Sequence, residues 1–268
     1  MEMKKLCMIG SGNMGKAMVR GILKTGLLKP EEIVMTDLNA YVVEDLEREL
    51  GIIGCTDNRE AVADSEIIVL AVKPQFLDKA IASLSDAVKP GSIVISIAPG
   101  KTVEMLEAQF PAETPIIRAM PNAPALVLTG MTAVCRNKYV KKSDMERVKK
   151  LFDGFGLTRE VPEYMMDAVT AVSGSCPAYV CLMIEALSDS AVKSGMTRKD
   201  SYIFAEQAVM GSAKLLLETG MHPGELKDIV CSPAGTSIEA VRVLEDNGFR
   251  SAVIRATDAC AKRSRELI

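Results

Sequence analysis

Short apolar runs alternate with amphipathic stretches through the first part of the chain. The runs are rich in β-branched residues, which predicts strands at 5–9, 32–36, 67–72, 92–97, 116–119 and 132–135. Between them, apolar residues recur at helical spacing over 13–25, 40–50, 75–84, 102–109 and 141–154. Strands that alternate with helices in this way predict a doubly wound α/β domain, with a mainly parallel sheet covered by helices on both faces.

The pattern changes near Pro162. Beyond this point strand-like runs disappear, and Ala, Ser, Met and Leu recur at helical spacing over 165–195, 199–219, 224–231, 235–247 and 249–267. We therefore expect two domains, 1–162 and 163–268, of which the second is all-helical. Its many small residues and few aromatic ones suit close helix packing, so we expect it to complete its core across a dimer interface.

Composition narrows the range of partners. The chain has 32 Lys and Arg against 35 Asp and Glu, a formal net charge of −3, and no Trp. It therefore offers no basic surface for a polyanion, and its eleven aromatic residues provide few stacking platforms for nucleic acid. The longest uncharged stretch, 168–184, contains Gly174 and Pro177 and is shorter than the roughly 18 apolar residues of a membrane span. We expect neither a nucleic-acid partner nor a membrane segment.

The seven cysteines and the single histidine exclude three further classes of protein. Seven is an odd number, and no Cys-x-x-Cys occurs, so neither a disulfide framework nor a zinc ribbon fits. His222 alone cannot build a multi-histidine metal site. We expect reduced thiols in the cytoplasm and no bound metal. A chain so poor in catalytic side chains indicates chemistry that a cofactor supplies.

Glycines at 10, 12 and 15 lie between the first predicted strand and the first predicted helix. In this context G-x-G-x-x-G is the dinucleotide-binding motif of a Rossmann-type domain. Gly10 permits the tight turn, Gly12 lets a pyrophosphate approach the backbone, and Gly15 lets the helix pack on the strand. The same residues nearly form a P-loop, but Ala17 stands where a magnesium-binding Ser or Thr is required. The motif therefore favours a dinucleotide over a nucleoside triphosphate.

Asp37 follows the second predicted strand, about twenty residues after the glycines, where an acid accepts hydrogen bonds from the adenosine ribose. Leu38, Asn39 and Ala40 supply no cation. A 2′-phosphate next to Asp37 would therefore meet like charge, which favours NADH over NADPH. The alternative is that Asp37 only caps the following helix.

Two loops follow predicted strands at the edge of the sheet where open α/β folds bind ligands. They are Ala71–Pro74 and Ser96–Gly100. Lys73, in the first loop, either reaches a ribose or phosphate or is a solvated surface lysine. Asn122 closes a further strand in a stiff turn after Pro121, where it either faces a ligand or simply forms the turn.

A helix break at Ser232–Ser237 precedes the helix predicted at 235–247. The unpaired N–H groups and the positive dipole end of such a helix favour a carboxylate. An ordinary N-cap is the alternative. The stretch Val172–Tyr179 is not a G-x-S-x-G nucleophile elbow, and with one remote histidine no Ser-His-Asp triad can be assembled.

These segments together resemble the pyrroline-5-carboxylate reductase family in register over nearly the whole chain. The resemblance rests on Ile9–Gly15, Ala71–Pro74, Arg118–Asn122, Val172–Tyr179 and His222–Glu245. It implies cofactor contacts from Ile9, Gly10, Ser11, Gly12, Asn13, Met14, Asn58, Ala71, Val72, Lys73, Pro74, Ile97, Ala98 and Pro99. It also implies substrate contacts from Glu163, Gly235, Thr236 and Ser237.

The resemblance further implies reduction of the cyclic imine 1-pyrroline-5-carboxylate to L-proline, the last step of proline biosynthesis, with NADPH or NADH. It implies a homodimer with interleaved helical domains that assembles into a larger ring such as a decamer. Three positions depart from the family pattern: Ser237 stands where the signature has Thr, Ala234 where a glycine is frequent, and Pro99 where an alanine is usual. None of the three removes a functional group.

Imine reduction requires positioning and one hydrogen-bond donor more than a strong base. We expect the Ser237 hydroxyl to hydrogen-bond the ring nitrogen as the catalytic contact. A β-hydroxyacid-type dehydrogenase is the enzymatic alternative, but it would need a catalytic lysine in the stretch after Ser175, which has none. A non-catalytic nicotinamide-nucleotide sensor is the alternative from another class.

Overall fold

The computed structural model describes residues 4–266. Contacts divide the chain into two compact units. The first runs to Gly174 and includes the chain from Cys260 onward, and the second is Ser175–Ala259. This division falls later than Pro162, so the domain limits 1–162 and 163–268 stay a prediction. The first three residues of the predicted N-terminal domain and the end of the predicted helix 249–267 lie outside the described residues.

The first unit contains one eight-stranded sheet, and the α/β class is confirmed. Its strands are β1 Lys4–Ile9, β2 Ile33–Thr36, β3 Ile53–Cys55, β4 Ser65–Leu70, β5 Ile93–Ser96, β6 Ile116–Met120, β7 Gly130–Arg136 and β8 Gly156–Glu160. Their order is β3-β2-β1-β4-β5-β6-β7-β8, and every pair is parallel except β6 with β7. The order reverses between β1 and β4, which creates the crevice where this class of sheet binds ligands.

Helices cover both faces of the sheet. They are α1 Asn13–Thr25, α2 Ala40–Leu50, α3 Asn58–Val62, α4 Pro74–Ala82, α5 Val103–Glu107, α6 Lys142–Phe152 and α7 Met166–Val169. Alternation along β1 shows the two-sided burial directly. Leu6 and Met8 belong to one buried cluster, with Phe152, while Cys7 and Ile9 belong to another on the opposite face. Side chains alternate between faces along a strand, so a strand with two buried faces is a continuous apolar run.

The sequence pattern does not predict β3 and β8. Both are short strands at the two edges of the sheet. The three residues of β3 are half-buried, and β8 has the mostly polar sequence Gly-Leu-Thr-Arg-Glu. An edge strand buries less apolar surface and commonly carries charged residues, so its apolar signal is weak.

The second unit is helical. Its helices are α8 Cys176–Lys193, α9 Arg198–Thr219, α10 Pro223–Val230, α11 Thr236–Asp246 and the greater part of α12 Phe249–Arg265. A buried pair of hydroxyls, Ser188 and Ser201, joins α8 to α9 with 2.6 Å between the oxygens. None of the described residues of α10, α11 or α12 is buried. This unit therefore lacks a core of its own within one chain.

One stretch, Glu163–Lys193, is long and apolar enough to cross a membrane by length and composition alone. Its mean hydropathy is 1.3, and 6% of the apolar window is buried. By this criterion the stretch departs from the expectation that the chain has no such segment. That expectation counted only the uncharged residues 168–184, whereas the criterion tolerates isolated charges. A π-helical turn at Thr170–Gly174 lies within the stretch, just before α8.

Candidate functional site

The Gly10–Gly15 turn lies at the carboxyl end of β1 and opens α1. Gly10 has φ of +101°, and a Cβ there would lie 2.9 Å from Val72 Cγ1. A Cβ on Gly15 would lie 2.6 Å from the carbonyl oxygen of Gly10. A Cβ on Gly12, the N-cap of α1, would meet no atom within 4 Å. The turn is therefore tightly packed toward the protein and open at Gly12, in front of the unpaired N–H groups of the helix.

Asp37 follows β2, the strand next to β1 in the sheet. Ser11 Oγ donates a hydrogen bond to Asp37 Oδ2, and the backbone N–H of Asn39 donates to Oδ1 at 2.9 Å. The side chain of Asn39, not that of Asp37, caps α2 by accepting from the N–H of Tyr41. The carboxylate of Asp37 is therefore held beside the glycine turn, and α2 does not need it as a cap.

A cavity of about 500 Å³ opens beside Gly10 and Asp37. It is lined by Ile9, Gly10, Thr36, Asp37, Leu38, Asn58, Val72, Phe76, Lys79, Ala80 and Ser83. The cavity brings together five of the residues predicted to contact the cofactor, from β1, α3 and the loops after β1, β2 and β4. Six further residues line the cavity without having been predicted from the sequence: Thr36, Leu38, Phe76, Lys79, Ala80 and Ser83. Helical spacing from Phe76 onward is the signal that could have indicated the four residues of the α4 segment.

A chain of hydrogen bonds orients Asn58 in this cavity. Thr36 Oγ1 donates to Asn58 Oδ1 at 2.7 Å, and Asn58 Nδ2 donates to Ser83 Oγ at 3.4 Å. Ser83 Oγ in turn donates to the carbonyl oxygen of Ala80 at 2.7 Å. The donor and acceptor ends of the Asn58 amide are thus assigned by their partners.

The loops after β4 and β5 complete this edge of the sheet. The N–H of Ala71 donates to Ile9 O at 2.8 Å, and the N–H of Ile97 donates to Leu70 O at 3.2 Å. Lys73 is the N-cap of α4, and its side chain is exposed. The loops predicted to contact the cofactor, Ala71–Pro74 and Ile97–Pro99, therefore follow β4 and β5, two neighbouring strands on one side of the point where the strand order reverses.

Glu163 lies in the first unit and contacts the sheet. Its Oε1 accepts hydrogen bonds from the N–H of Val103 at 2.7 Å and from Arg118 Nη1 at 3.2 Å. Arg118 is on β6, and its side chain is only 9% exposed. Burial, and next the negative charge of Glu163, raise the pKa of the neighbouring Cys135 thiol to about 12. That thiol therefore stays protonated at neutral pH and is not a nucleophile there.

We predict that Glu163→Ala lowers the free energy of unfolding by about 2–3 kcal/mol, because it leaves a buried guanidinium and a helix N–H without their acceptor. Glu163→Gln keeps an acceptor oxygen and should lose less. Urea unfolding of the full chain measures both. The matched control is Glu239→Ala, which breaks an exposed pair with Arg242 and should cost less than about 1 kcal/mol. Equal losses for Glu163→Ala and Glu239→Ala would contradict a stabilising role for this contact.

Asn122 has a structural role in the first unit. Its Oδ1 accepts from the N–H of Met131 at 2.8 Å, and its Nδ2 donates to Ser173 Oγ at 3.2 Å. Both ends of the amide are therefore occupied within the protein. This arrangement favours the turn over the ligand contact as the role of Asn122.

The predicted substrate residues Gly235, Thr236 and Ser237 lie at the start of α11, in the second unit. Gly235 is the N-cap and supplies no side-chain hydrogen bond to the helix. The first N–H groups of an α-helix have no partner within the helix, and Ser237 lies in that first turn. Ala234 adopts φ of +55°, a region that favours glycine. This strain explains why a glycine is suited to the position where the chain has Ala234.

The fold of the first unit and its glycine turn together define a class of protein. A Gly-x-Gly-x-x-Gly turn at the reversal point of a parallel sheet, with an acid after the neighbouring strand, belongs to oxidoreductases that bind a nicotinamide dinucleotide. Residues 5–100 match the family model described as "NADP oxidoreductase coenzyme F420-dependent". Residues 163–267 match the model described as "Pyrroline-5-carboxylate reductase dimerisation".

Relatives and solved structures match over the full length of the chain. The pyrroline-5-carboxylate reductase of Escherichia coli is 46% identical over 264 residues, 98% of each chain. That of Methanosarcina acetivorans is 42% identical over 267 residues, 100% of this chain and 99% of the relative. A pyrroline-5-carboxylate reductase structure from Coxiella burnetii has a TM-score of 0.94 at 32% identity and covers 99% of each chain.

A pyrroline carboxylate reductase structure from Plasmodium falciparum, with NADP bound, has a TM-score of 0.87 at 31% identity. It covers 100% of this chain and 99% of its own. The chain belongs to the pyrroline-5-carboxylate reductase family. The resemblance of its motifs to that family is confirmed, and the β-hydroxyacid-type alternative is excluded. The apolar stretch Glu163–Lys193 falls within the region of the dimerisation model.

Proposed function

We propose that the chain catalyses the NAD(P)H-dependent reduction of 1-pyrroline-5-carboxylate to L-proline. The carbon of the C=N bond gains a hydride and becomes Cδ of proline, while the ring nitrogen gains a proton. The observation that carries the proposal is the open Gly10–Gly15 turn in a chain that belongs along its whole length to this family. Reduced nicotinamide cofactor, when bound, supplies the hydride.

The chain's own residues then have three tasks. The N–H groups of α1 and the space at Gly12 bind the pyrophosphate, and Asp37 accepts hydrogen bonds from the ribose. The loops Ala71–Pro74 and Ile97–Pro99, with Asn58, hold the rest of the cofactor. The first turn of α11 binds the substrate carboxylate through its N–H groups. Glu163 is a further substrate-binding residue.

Ser237 donates a hydrogen bond to the ring nitrogen and steadies the proton that the nitrogen gains. It is the catalytic residue in this proposal. A hydroxyl in the first turn of a helix suits the task, because the adjacent N–H groups hold the carboxylate of the same substrate. The proposal requires no histidine and no metal ion.

Oxidation of NADH and of NADPH in parallel, with and without 1-pyrroline-5-carboxylate, tests the function. We expect substrate-dependent oxidation of both cofactors, with kcat/KM several-fold higher for NADH because Asp37 repels a 2′-phosphate. Oxidation that does not depend on the substrate, or none at all, contradicts the proposed reaction and favours a nucleotide sensor. Equal or higher kcat/KM with NADPH contradicts only the role of Asp37.

The second unit mediates dimerisation, and we infer that two copies interleave their helices and that dimers assemble further, into a ring such as a decamer. The support is exposure. Large apolar side chains such as Leu182, Leu217 and Ile229 are 69%, 74% and 65% exposed in the single chain. A surface of this kind marks an interaction site, and a second copy explains it without a membrane. We further propose a cytoplasmic location, because an odd number of cysteines without a Cys-x-x-Cys motif indicates reduced thiols.

Sedimentation of the full chain tests this assembly. We expect a species of at least two subunits that persists on dilution, because a unit without a buried core gains it from the partner. The variant Leu217→Lys places a charge on this exposed apolar surface and should shift the distribution toward smaller species. The inference would be contradicted by a wild-type chain that sediments as a monomer and whose thermal midpoint does not change on dilution.

A further inference from the structure

One face of α4 lies along the wall of the cavity that contains Asp37. Phe76, Lys79 and Ser83 all line this cavity. They follow one another at intervals of three or four residues, the spacing that places side chains on one side of a helix. The position of Lys79 at the cavity is therefore a consequence of the helix register.

The charges of this cavity are balanced. Among the described residues that line it, Asp37 is the one acid and Lys79 is the one base. The carboxylate of Asp37 is held by Ser11 and by the N–H of Asn39. Lys79 forms no ion pair with any described residue, whereas the adjacent Asp78 pairs with Lys101 at 2.9 Å. The cavity therefore contains a positive charge that is not paired with any acid among the described residues.

A ribose with two free hydroxyls needs an acceptor, which Asp37 provides, and has no need of a cation. A 2′-phosphate needs a cation, because Asp37 repels it. We propose that Lys79 is a specificity-determining residue that binds the 2′-phosphate of NADPH in the cavity beside Asp37. The inference rests on the proposed function only in taking this cavity as the site of the adenosine half of the cofactor. It explains how a chain with Asp37 after β2 retains the use of NADPH.

Calorimetric titration of the full chain tests the inference without turnover. The probes are adenosine 2′,5′-bisphosphate and NADPH, which carry the 2′-phosphate, and adenosine 5′-phosphate and NADH, which do not. We expect Lys79→Ala to weaken the first two roughly tenfold, about 1.4 kcal/mol, and to leave the other two within about twofold. Lys79→Arg should retain most of the affinity for the 2′-phosphate, since it keeps the charge.

The matched control is Lys24→Ala, which removes the same charge from the exposed last turn of α1. It should change none of the four affinities. Unchanged binding of adenosine 2′,5′-bisphosphate to Lys79→Ala, or an equal loss for all four probes, would overturn the inference. These outcomes leave the proposed reaction intact, because no pyrroline-5-carboxylate takes part. A wild-type chain that binds neither dinucleotide would contradict the proposed function and this inference together.

Discussion

Ser237→Ala is expected to lower kcat/KM for 1-pyrroline-5-carboxylate by roughly ten- to a thousandfold, at about 1.4 kcal/mol per decade, because the hydrogen bond to the ring nitrogen is lost as charge develops there. Most of the loss should fall on kcat, since the contact strengthens only as the nitrogen gains its proton. Steady-state kinetics at saturating cofactor measure both constants.

Two further variants make the result specific. Ser237→Thr restores the residue of the family signature and should keep most of the activity, because the hydroxyl remains. Ser194→Ala removes an exposed hydroxyl of the same unit that bonds only to the carbonyl of Ser190, and it should leave kcat/KM unchanged. If Ser237→Ala retains the wild-type kcat/KM, Ser237 is not the catalytic contact.

The second large effect is expected from Gly12→Val. A Cβ at Gly12 would meet no protein atom within 4 Å, so we expect the fold to tolerate a side chain there. It would occupy the space through which the pyrophosphate approaches α1. We expect dinucleotide affinity to fall by roughly a hundredfold or more, because two hydrogen bonds to a charged group are each worth about 1.5–3 kcal/mol.

Calorimetry with NADH and a thermal unfolding curve measure the two quantities separately. Gly211→Ala is the matched control, because a Cβ on Gly211 of α9 also meets no atom within 4 Å. It should leave the affinity for NADH unchanged, because Gly211 lies in the second unit, outside the dinucleotide site. Wild-type affinity in Gly12→Val would show that the pyrophosphate binds elsewhere. This result would remove the main support for the dinucleotide site.

The central strands and the glycine turn could be predicted from the sequence because their signals are local. A strand such as β4 is buried on both faces, so its last four residues, Ile67–Leu70, are all apolar. The turn needs Gly10, Gly12 and Gly15 at fixed spacing between a strand and a helix. The edge strands β3 and β8 lack such a signal, because half-buried and polar residues satisfy an edge equally well.

The rest of the candidate site could not be predicted because it depends on contacts between distant segments. The hydrogen bond from Arg118 to Glu163 joins residues 45 positions apart. Lys79 reaches the cavity of Asp37 only because α4 follows β4, which lies beside β1 in the sheet. The residues directly after Asp37 include no cation. The cation near Asp37 is Lys79, which is distant in the sequence and reaches the cavity only in the folded chain.

Transfer of a deuterium label from the cofactor to proline tests the proposed reaction itself. The full chain is incubated with 1-pyrroline-5-carboxylate and with NADH that carries deuterium on one defined face of nicotinamide C4, each face in turn, and the proline formed is analysed by mass spectrometry. We expect proline with a single deuterium at Cδ from one of the two labelled cofactors and unlabelled proline from the other. Proline without label from both, or oxidation of the cofactor with no proline formed, would contradict the proposed reaction.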